Sequence, residues 1–267
     1  MDLLTIQTCL LESITNFTLS QCLAVLLTLR TSTHQALSNV SLSVSRWPWI
    51  MELCKQISRE LRQNVDWIGI EPPSSHPTRL LDYACGNGVA SRALAPFVST
   101  VRGMDISSGM AEQYNEMALK AGFTSKKMLA IQGDLIDPES TPCPELDTPE
   151  FSNFDYIVMC MALHHVEDPE KMVSKLASRL REGGILVIVD WVAVSESNCA
   201  DAEQARTFTN HTMTRMGFEE KDVREPFEKA GLEGWSWKWA STRSQVPKEI
   251  GGEQQLFLAR GRKPTAS

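Results

Sequence analysis

Short apolar segments alternate with helical patterns through the middle of the chain. Five segments have the length and apolar content of buried β-strands, and they span residues 79–85, 101–106, 128–132, 155–161 and 185–192. Strands that alternate with helices predict a parallel sheet with helices on both faces. Two later segments, 235–241 and 255–260, predict the final strands. The expected fold is therefore α/β, with a seven-stranded, mostly parallel sheet.

Capping residues predict where the helices between these strands begin and end. Ser107 offers an N-cap to a helix that closes at Gly122. Asp168 followed by Pro169 is typical of the first residues of a helix, and the pair Gly183–Gly184 predicts its end. A shorter helix is expected over residues 89–94.

The composition divides the chain into blocks. Residues 1–45 contain only three charged side chains and are interpreted as an atypical, charge-poor N-terminal extension, either divergent or the product of a mispredicted first exon. Residues 46–78 carry an amphipathic helical pattern and are predicted to form a helical N-terminal cap. The α/β domain is expected over residues 79–262, and residues 263–267 form a short tail.

Charge and cysteine content exclude several classes of protein. The chain has 26 Lys and Arg against 33 Asp and Glu, a net charge of −7, which argues against nucleic acid or an anionic membrane surface as the partner. Seven cysteines are scattered singly, so no zinc or other metal site and no disulfide framework is predicted. The most apolar run of the extension, residues 22–29, is too short to cross a membrane. We expect a cytoplasmic protein that acts on a small molecule.

Glycine and polar residues follow the predicted strands, where open parallel sheets bind their ligands. In chain order these residues are Gly86, Gly88, Asp105, Asp134, His164 and His165. Glycines let the backbone turn tightly and approach a ligand without a Cβ clash. The Asp105 carboxylate can accept hydrogen bonds from both hydroxyls of a ribose.

The Gly86-x-Gly88 turn alone does not separate a nicotinamide or flavin enzyme from other nucleotide binders. A dinucleotide-binding turn prefers Gly or Ala where this chain has Ser91. Asp82 adds a carboxylate. Its negative charge is unfavourable near a pyrophosphate but favourable near a cationic, amine-bearing ligand. These two positions argue against a nicotinamide oxidoreductase.

Five ordered motifs carry a resemblance to a known family. They are LLDYACGNG at residues 80–88, VRGMDISSGM at 101–110, IQGDL at 131–135, FDYIVMCMALHHVEDP at 154–169 and REGGILVIVDW at 181–191. The chain resembles class I S-adenosylmethionine-dependent methyltransferases of the ubiquinone/menaquinone C-methyltransferase-like group, especially the fungal small-molecule members. The resemblance implies a Rossmann-like methyltransferase fold, and it places a lid over the acceptor site at residues 200–231.

The resemblance also implies which residues hold S-adenosylmethionine. They are Asp82, Ala84, Gly86, Gly88, Asp105, Ile106, Met110, Asp134, Leu135, Cys160 and Met161. In that assignment Asp82 and the glycines contact the methionyl part, Asp105 holds the ribose, Ile106 and Met110 flank the adenine, Asp134 and Leu135 read the adenine amine, and Cys160 and Met161 pass beside the sulfonium.

The expected activity is methyl transfer to an oxygen, nitrogen or carbon of a small organic acceptor, in secondary metabolism. The protein must align the nucleophile with the methyl group and exclude water. His165 or His164 is the candidate general base, with His165 favoured, since imidazole titrates near neutral pH. The alternative role for the pair is to fix the loop by hydrogen bonds. A cofactor-binding relative that acts as a pericyclic catalyst or a regulator is the competing function.

Overall fold

The computed structural model describes residues 48–71, 76–139, 143–193, 214–248 and 252–265. The predicted N-terminal extension and most of the predicted lid lie outside the described residues. So do parts of the predicted cap and of the tail.

The main sheet has seven strands in the order β3-β2-β1-β4-β5-β9-β6. Its strands are β1 (Arg79–Tyr83), β2 (Thr100–Asp105), β3 (Met128–Gln132), β4 (Phe154–Cys160), β5 (Leu180–Trp191), β6 (Glu233–Trp239) and β9 (Leu256–Arg262). β9 runs antiparallel to both of its neighbours, and the pairs among β1 to β5 are parallel. The short strands β7 (Ser244–Gln245) and β8 (Glu253–Gln254) form a separate pair. The predicted seven-stranded, mostly parallel sheet is confirmed.

Helices cover both faces of the sheet. They are α1 (Pro48–Gln63), α2 (Val65–Ile68), α3 (Val89–Leu94), α4 (Ser108–Lys120), α5 (Pro169–Arg179) and α6 (Glu220–Lys229), and 3-10 turns span Ala95–Phe97, Pro144–Asp147, Pro149–Phe151 and Leu163–His165. Leu61, Leu94 and Tyr114 of α1, α3 and α4 belong to one core cluster, whereas Leu176 and Phe227 of α5 and α6 belong to the other.

The N-cap residues predicted from the sequence begin helices α4 and α5. The Ser107 side chain accepts a hydrogen bond from the Met110 N–H at 3.2 Å, which starts α4. Asp168 Oδ1 accepts from the Lys171 N–H at 2.9 Å, and Pro169 occupies the first position of α5. Local side-chain chemistry therefore starts these helices where the pattern predicts.

The predicted end of α5 is wrong. The helix ends at Arg179, and Gly183 and Gly184 lie inside β5. Leu180 has an extended backbone and pairs with Phe154 of β4. A Cβ on Gly184 would lie 2.7 Å from the Phe154 carbonyl oxygen, so this glycine allows two strands to approach and does not end a helix.

Strands β1 and β4 end earlier than the apolar runs suggest. β1 stops at Tyr83, because Ala84 adopts φ +54°, and β4 stops at Cys160, because Met161 adopts φ +55°. A left-handed backbone turns the chain out of the sheet and costs a residue with a Cβ about 1 kcal/mol. Both turns lie at the carboxyl edge of the sheet, where the candidate site residues follow.

A buried polar contact holds α1 against the segment that follows β6. Glu60 is 1% exposed, and its Oε1 accepts hydrogen bonds from the Ser241 N–H at 2.9 Å and from the Ser241 hydroxyl. Gln56 Nε2 donates to the Thr242 carbonyl oxygen at 2.7 Å. The predicted cap helix is thus fixed to the sheet by satisfied buried polar groups as well as by its apolar face.

Candidate functional site

The carboxyl ends of the parallel strands bring the predicted residues into linked pairs. The loop after β1 bonds to the end of β2 through Gly86 and Asp105, and the end of β1 bonds to the loop after β3 through Tyr83 and Asp134. The loop after β4 bonds to the end of β5. One edge of the sheet therefore holds residues from all five sequence motifs.

Asp105 joins the glycine turn to the start of α4. Its Oδ2 accepts a hydrogen bond from the Gly86 N–H at 2.9 Å, and its Oδ1 accepts from the Ser107 N–H at 3.0 Å. Burial raises the pKa of Asp105, while these two backbone hydrogen bonds act to lower it. The carboxylate is half-buried, so it can still reach a ligand at the surface of this turn.

The two glycines of the turn serve different purposes. Gly88 has φ +80°, and a Cβ there would lie 2.7 Å from Tyr114 Cδ2, so a side chain would clash with the core. Gly86 has φ +51°, and among the described residues the nearest contact to a Cβ there is Met110 Cε at 3.5 Å. Gly88 is therefore required for packing, whereas Gly86 leaves an open surface beside Met110.

Asp82 lies beneath this turn and is 2% exposed. Its Oδ2 accepts hydrogen bonds from the Ser91 N–H at 2.9 Å and the Ser91 hydroxyl at 2.7 Å, and the Tyr114 hydroxyl bonds to Ser91 Oγ at 2.8 Å. Burial raises the pKa of Asp82 to about 7. In this structure Asp82 anchors the N-terminal turn of α3, which explains why serine stands at position 91.

The raised pKa of Asp82 makes stability depend on pH. The folded state binds the Asp82 proton more tightly than the unfolded state, so its stabilising contribution is complete below about pH 4 and is lost as the pH rises through about 7. The free energy of unfolding of the wild type, relative to Asp82→Asn, should fall by on the order of 3 kcal/mol between pH 5 and pH 8. Urea denaturation of both proteins at the two pH values measures this difference.

Asparagine is the appropriate variant because its side-chain oxygen can still accept both Ser91 hydrogen bonds. Subtracting the free energies of unfolding of the two proteins cancels the titration of the groups that both contain. A stability difference that stays constant from pH 5 to pH 8 would contradict the raised pKa.

Asp134 is held at the end of β3 by a second small network. Its Oδ1 accepts a hydrogen bond from the Tyr83 hydroxyl at 3.3 Å and from the Ile136 N–H at 2.7 Å. The Tyr83 hydroxyl in turn accepts from the Leu135 N–H at 3.2 Å. Ile106, on the neighbouring loop, is an apolar side chain that is 52% exposed. The edge thus presents a fixed carboxylate and an exposed aliphatic surface.

His164 and Asp190 form a buried pair between the loop after β4 and the end of β5. The two side chains are 4% and 0% exposed, and His164 Nδ1 lies 2.7 Å from Asp190 Oδ1. The same oxygen accepts from the Trp191 N–H at 2.7 Å, and Asp190 Oδ2 accepts from the His164 N–H at 3.2 Å. Asp190 therefore fixes both the ring and the backbone of His164.

His165 differs from its neighbour in exposure. It is exposed, and its ring centroid lies 4.1 Å from that of His164 with an interplanar angle of 43°. The His164 carbonyl oxygen accepts hydrogen bonds from the Thr214 N–H and hydroxyl, each at 2.9 Å. The loop that carries both histidines is thus tied to Thr214, just before α6.

Two more predicted cofactor residues lie at the end of β4. Cys160 is half-buried there, and the Met161 N–H donates to the Val189 carbonyl oxygen at 2.8 Å. Burial raises the pKa of the Cys160 thiol well above its usual range, so the thiol stays protonated. Trp191 is 5% exposed and belongs to the core.

The sequence does not predict the supporting roles of several residues of this edge. Tyr83, Ser91 and Tyr114 support the predicted carboxylates, and Thr214 and Arg215 contact the histidine loop. The apolar pattern predicts Tyr83 and Tyr114 only as core residues, and their hydroxyls find partners through the fold. Thr214 and Arg215 lie within the predicted lid, residues 200–231, but the sequence contains no signal for their contacts with the histidine loop. Among the described residues there is no cluster suited to a metal ion, and no described helix could span a membrane.

Comparison with known proteins shows the family. A methyltransferase domain model matches residues 53–237. An uncharacterized methyltransferase of Schizosaccharomyces pombe is 29% identical over 156 residues, which are 57% of this chain and 52% of the relative. A ubiquinone biosynthesis O-methyltransferase of Bordetella avium is 29% identical over 134 residues, 50% of this chain and 48% of the relative. The chain matches about half the length of these curated relatives.

Solved structures share the fold. The YcgJ protein of Bacillus subtilis has a TM-score of 0.59 at 19% identity, over 77% of this chain and 99% of that protein. Phosphoethanolamine N-methyltransferase 2 of Haemonchus contortus, solved with S-adenosyl-L-methionine, has a TM-score of 0.54 at 16% identity, over 76% and 52% of the two chains. The [4+2]-cyclase SpnF has a TM-score of 0.56 at 17% identity, over 77% and 82%.

The chain belongs to the class I S-adenosylmethionine-dependent methyltransferase family, and S-adenosylmethionine is its cofactor. The described edge suits this cofactor chemically. Gly86 offers open backbone without a side chain, the half-buried Asp105 offers an acceptor for hydroxyl groups, and the exposed Ile106 offers an apolar surface.

Proposed function

We propose that this protein transfers a methyl group from S-adenosylmethionine to an oxygen, nitrogen or carbon of a small organic acceptor in secondary metabolism. The observation that carries the proposal is the hydrogen bond from the Gly86 N–H to Asp105, which joins two family motifs beside an open turn. The cofactor supplies a methyl group bonded to a sulfonium sulfur. After the transfer, the rest of the cofactor leaves as a neutral sulfide. The protein's part is to hold, orient and shield the reactants.

Each predicted cofactor residue has a proposed role at this edge. Asp105 would accept from the ribose hydroxyls, Ile106 and Met110 would flank the adenine, and Asp134 with the Leu135 backbone would contact its amine edge. Gly86 would approach the methionyl part closely, with Ala84 and Gly88 shaping the turn. Asp82 would provide negative charge beneath the methionyl ammonium, and Cys160 and Met161 would lie beside the sulfonium.

The histidine pair divides into two proposed roles. His165 is exposed and is proposed as the general base that takes the proton of the acceptor. His164 is buried and bonded to Asp190, so it is proposed as a positioning residue that holds the loop and thereby the His165 ring. Exposure separates the two, because a base must reach the acceptor, and His164 does not reach the surface.

The reaction is tested by incubating the purified full chain with methyl-labelled S-adenosylmethionine and a panel of phenols, amines and quinols. S-adenosylhomocysteine should form only when an acceptor is present, and the acceptor should carry the labelled methyl group in place of one proton. Cofactor binding without S-adenosylhomocysteine from any acceptor would favour the competing pericyclic or regulatory function. Tight nicotinamide-nucleotide binding without S-adenosylmethionine binding would overturn the cofactor roles proposed here.

His165→Gln should lower kcat by about 10²–10⁴-fold with a methylated acceptor found in that panel, because glutamine cannot take up the proton. The pH–rate profile of the wild type should have an acidic limb that reports loss of the proton from the base, and this limb should disappear in the variant. Glu167→Gln, at a neighbouring exposed position, is the matched control and should retain turnover. Wild-type kcat in His165→Gln would show that the pair only fixes the loop.

The metabolite acted on is best sought by comparing extracts with and without the gene.

The cytoplasmic location expected from the scattered cysteines stays a prediction, which imaging of the tagged full chain would test.

A further inference from the structure

The end of β9 places a group of cations at the edge of the sheet opposite the cofactor site. Arg262 pairs with Ile185 near the beginning of the parallel part of β5, whereas Leu256, at the start of β9, pairs with Trp191 at the carboxyl edge. Arg260 and Arg262 are two residues apart on one strand, so their side chains leave the same face of the sheet. Lys263 follows directly.

The two guanidinium groups converge on one point. A Cβ built on Gly69 would lie 3.2 Å from Arg260 Nη1 and 3.5 Å from Arg262 Nη2. Burial lowers the pKa of Arg260, and the charge of Arg262 lowers it further. Like charges held this closely repel each other, and an anion between or beside them would remove that repulsion.

The hydrogen bonds that these cations form with described residues go to neutral carbonyl oxygens. Arg260 Nη1 donates to the Ile68 carbonyl oxygen at 3.2 Å, Arg262 Nη1 to the Gly183 carbonyl oxygen at 2.9 Å and Lys263 Nζ to the Leu180 carbonyl oxygen at 2.8 Å. In the described part of the chain, none of the three cations forms an ion pair with a carboxylate. The Arg260 Nε–H is buried there without a hydrogen-bond partner.

A cavity opens beside this group. Its volume is about 300 Å³, and its lining includes Arg260, Arg262, Lys263 and Thr265, with Glu233 as the one carboxylate among its lining residues. The lining therefore carries an excess of positive charge in a chain whose net charge is −7. Guanidinium groups bind phosphate and carboxylate oxygens with two parallel hydrogen bonds, which a neutral carbonyl cannot match.

We propose that this cavity binds a small, multiply charged phosphate-bearing molecule, held by Arg260, Arg262 and Lys263. The volume lies at the lower end of ligand pockets, which suits one compact ligand. A nucleic acid does not fit these observations, because three cations on an acidic protein give too little counterion release for tight binding to a polymer. The site is independent of the cofactor edge.

Pyrophosphate is the probe, titrated calorimetrically into the full chain at low ionic strength with saturating S-adenosylhomocysteine present. The wild type should bind with a Kd of about 1 mM or below, and Arg262→Gln should weaken binding about tenfold or more. Arg224→Gln, an exposed arginine on α6, is the matched control and should bind as the wild type does. Glu233→Gln removes the opposing carboxylate and should strengthen binding about threefold.

Competing outcomes are distinguishable. If Arg262→Gln fails to fold, Glu233→Gln together with a salt titration of the wild type still tests the site, since binding must tighten in the variant and weaken with salt. Citrate binding that exceeds pyrophosphate binding would overturn the phosphate assignment. Equal binding by the wild type, Arg262→Gln and Arg224→Gln would overturn the site. S-adenosylhomocysteine affinity should be unchanged in every variant.

Discussion

Asp105→Ala is expected to raise the Kd for S-adenosylhomocysteine by about 100-fold or more. The variant loses the acceptor of the Gly86 and Ser107 N–H groups, at 2.9 and 3.0 Å, so the turn and the start of α4 are no longer tied together. A hydrogen bond to a charged group contributes about 1.5–3 kcal/mol, and the proposed ribose contacts are lost as well. Isothermal titration calorimetry of the full chain measures the change.

Two variants sharpen this test. Asp105→Asn keeps one side-chain oxygen, so it should retain part of the affinity, with a Kd between those of the wild type and the alanine variant. Glu112→Ala, at an exposed position on α4, is the matched control and should bind normally. Thermal unfolding of each variant separates a lost ligand contact from a lost fold. A Kd for Asp105→Ala within about threefold of the wild type would contradict the proposed role.

Asp190→Ala is expected to lower the free energy of unfolding by about 3–5 kcal/mol. Asp190 is fully buried and accepts hydrogen bonds from the Trp191 N–H and the His164 N–H, in addition to its 2.7 Å contact with His164 Nδ1. Alanine would leave these polar groups in the interior without an acceptor, and each costs about 1–3 kcal/mol. Tm should fall by on the order of 10 °C in differential scanning fluorimetry.

A double-mutant cycle with His164→Ala isolates the pair. If the two side chains act on each other, the double variant should be destabilised by less than the sum of the single variants. Asp190→Asn keeps an acceptor and should be less damaging than alanine. In an assay with a methylated acceptor, Asp190→Asn should lower kcat more than it raises KM, because it disturbs the position of His165. Additive stability losses would show that the pair contributes no specific coupling.

Much of the fold followed from local signals. Apolar runs separated by helical patterns predicted a seven-stranded, mostly parallel sheet, and the capping side chains of Ser107 and Asp168 predicted where α4 and α5 begin. These signals act between residues three or four apart, so they are present in the sequence itself. The end of α5 depended instead on pairing between Leu180 and Phe154, which are far apart along the chain.

For the site, the chain order of motifs was sufficient to identify the family and to predict the cofactor. It could not assign roles to the adjacent His164 and His165. The two differ in that only His164 contacts Asp190, which lies 26 residues further along the chain. Likewise, Asp82 pairs with Ser91 and has a pKa of about 7 because it is buried. Aspartate and serine are polar residues, so their identity does not predict this burial.

The sequence by itself determined the order of strands and helices and the family, and it predicted candidate cofactor residues at the carboxyl edge, because periodicity, caps and motifs are properties of the sequence. The tertiary structure alone decided which of these residues are buried and which are exposed. It also decided that Arg260 and Arg262 converge beside a cavity at the opposite edge. Burial, charge proximity and long-range pairing depend on the packing of segments distant in sequence, and no local pattern encodes them.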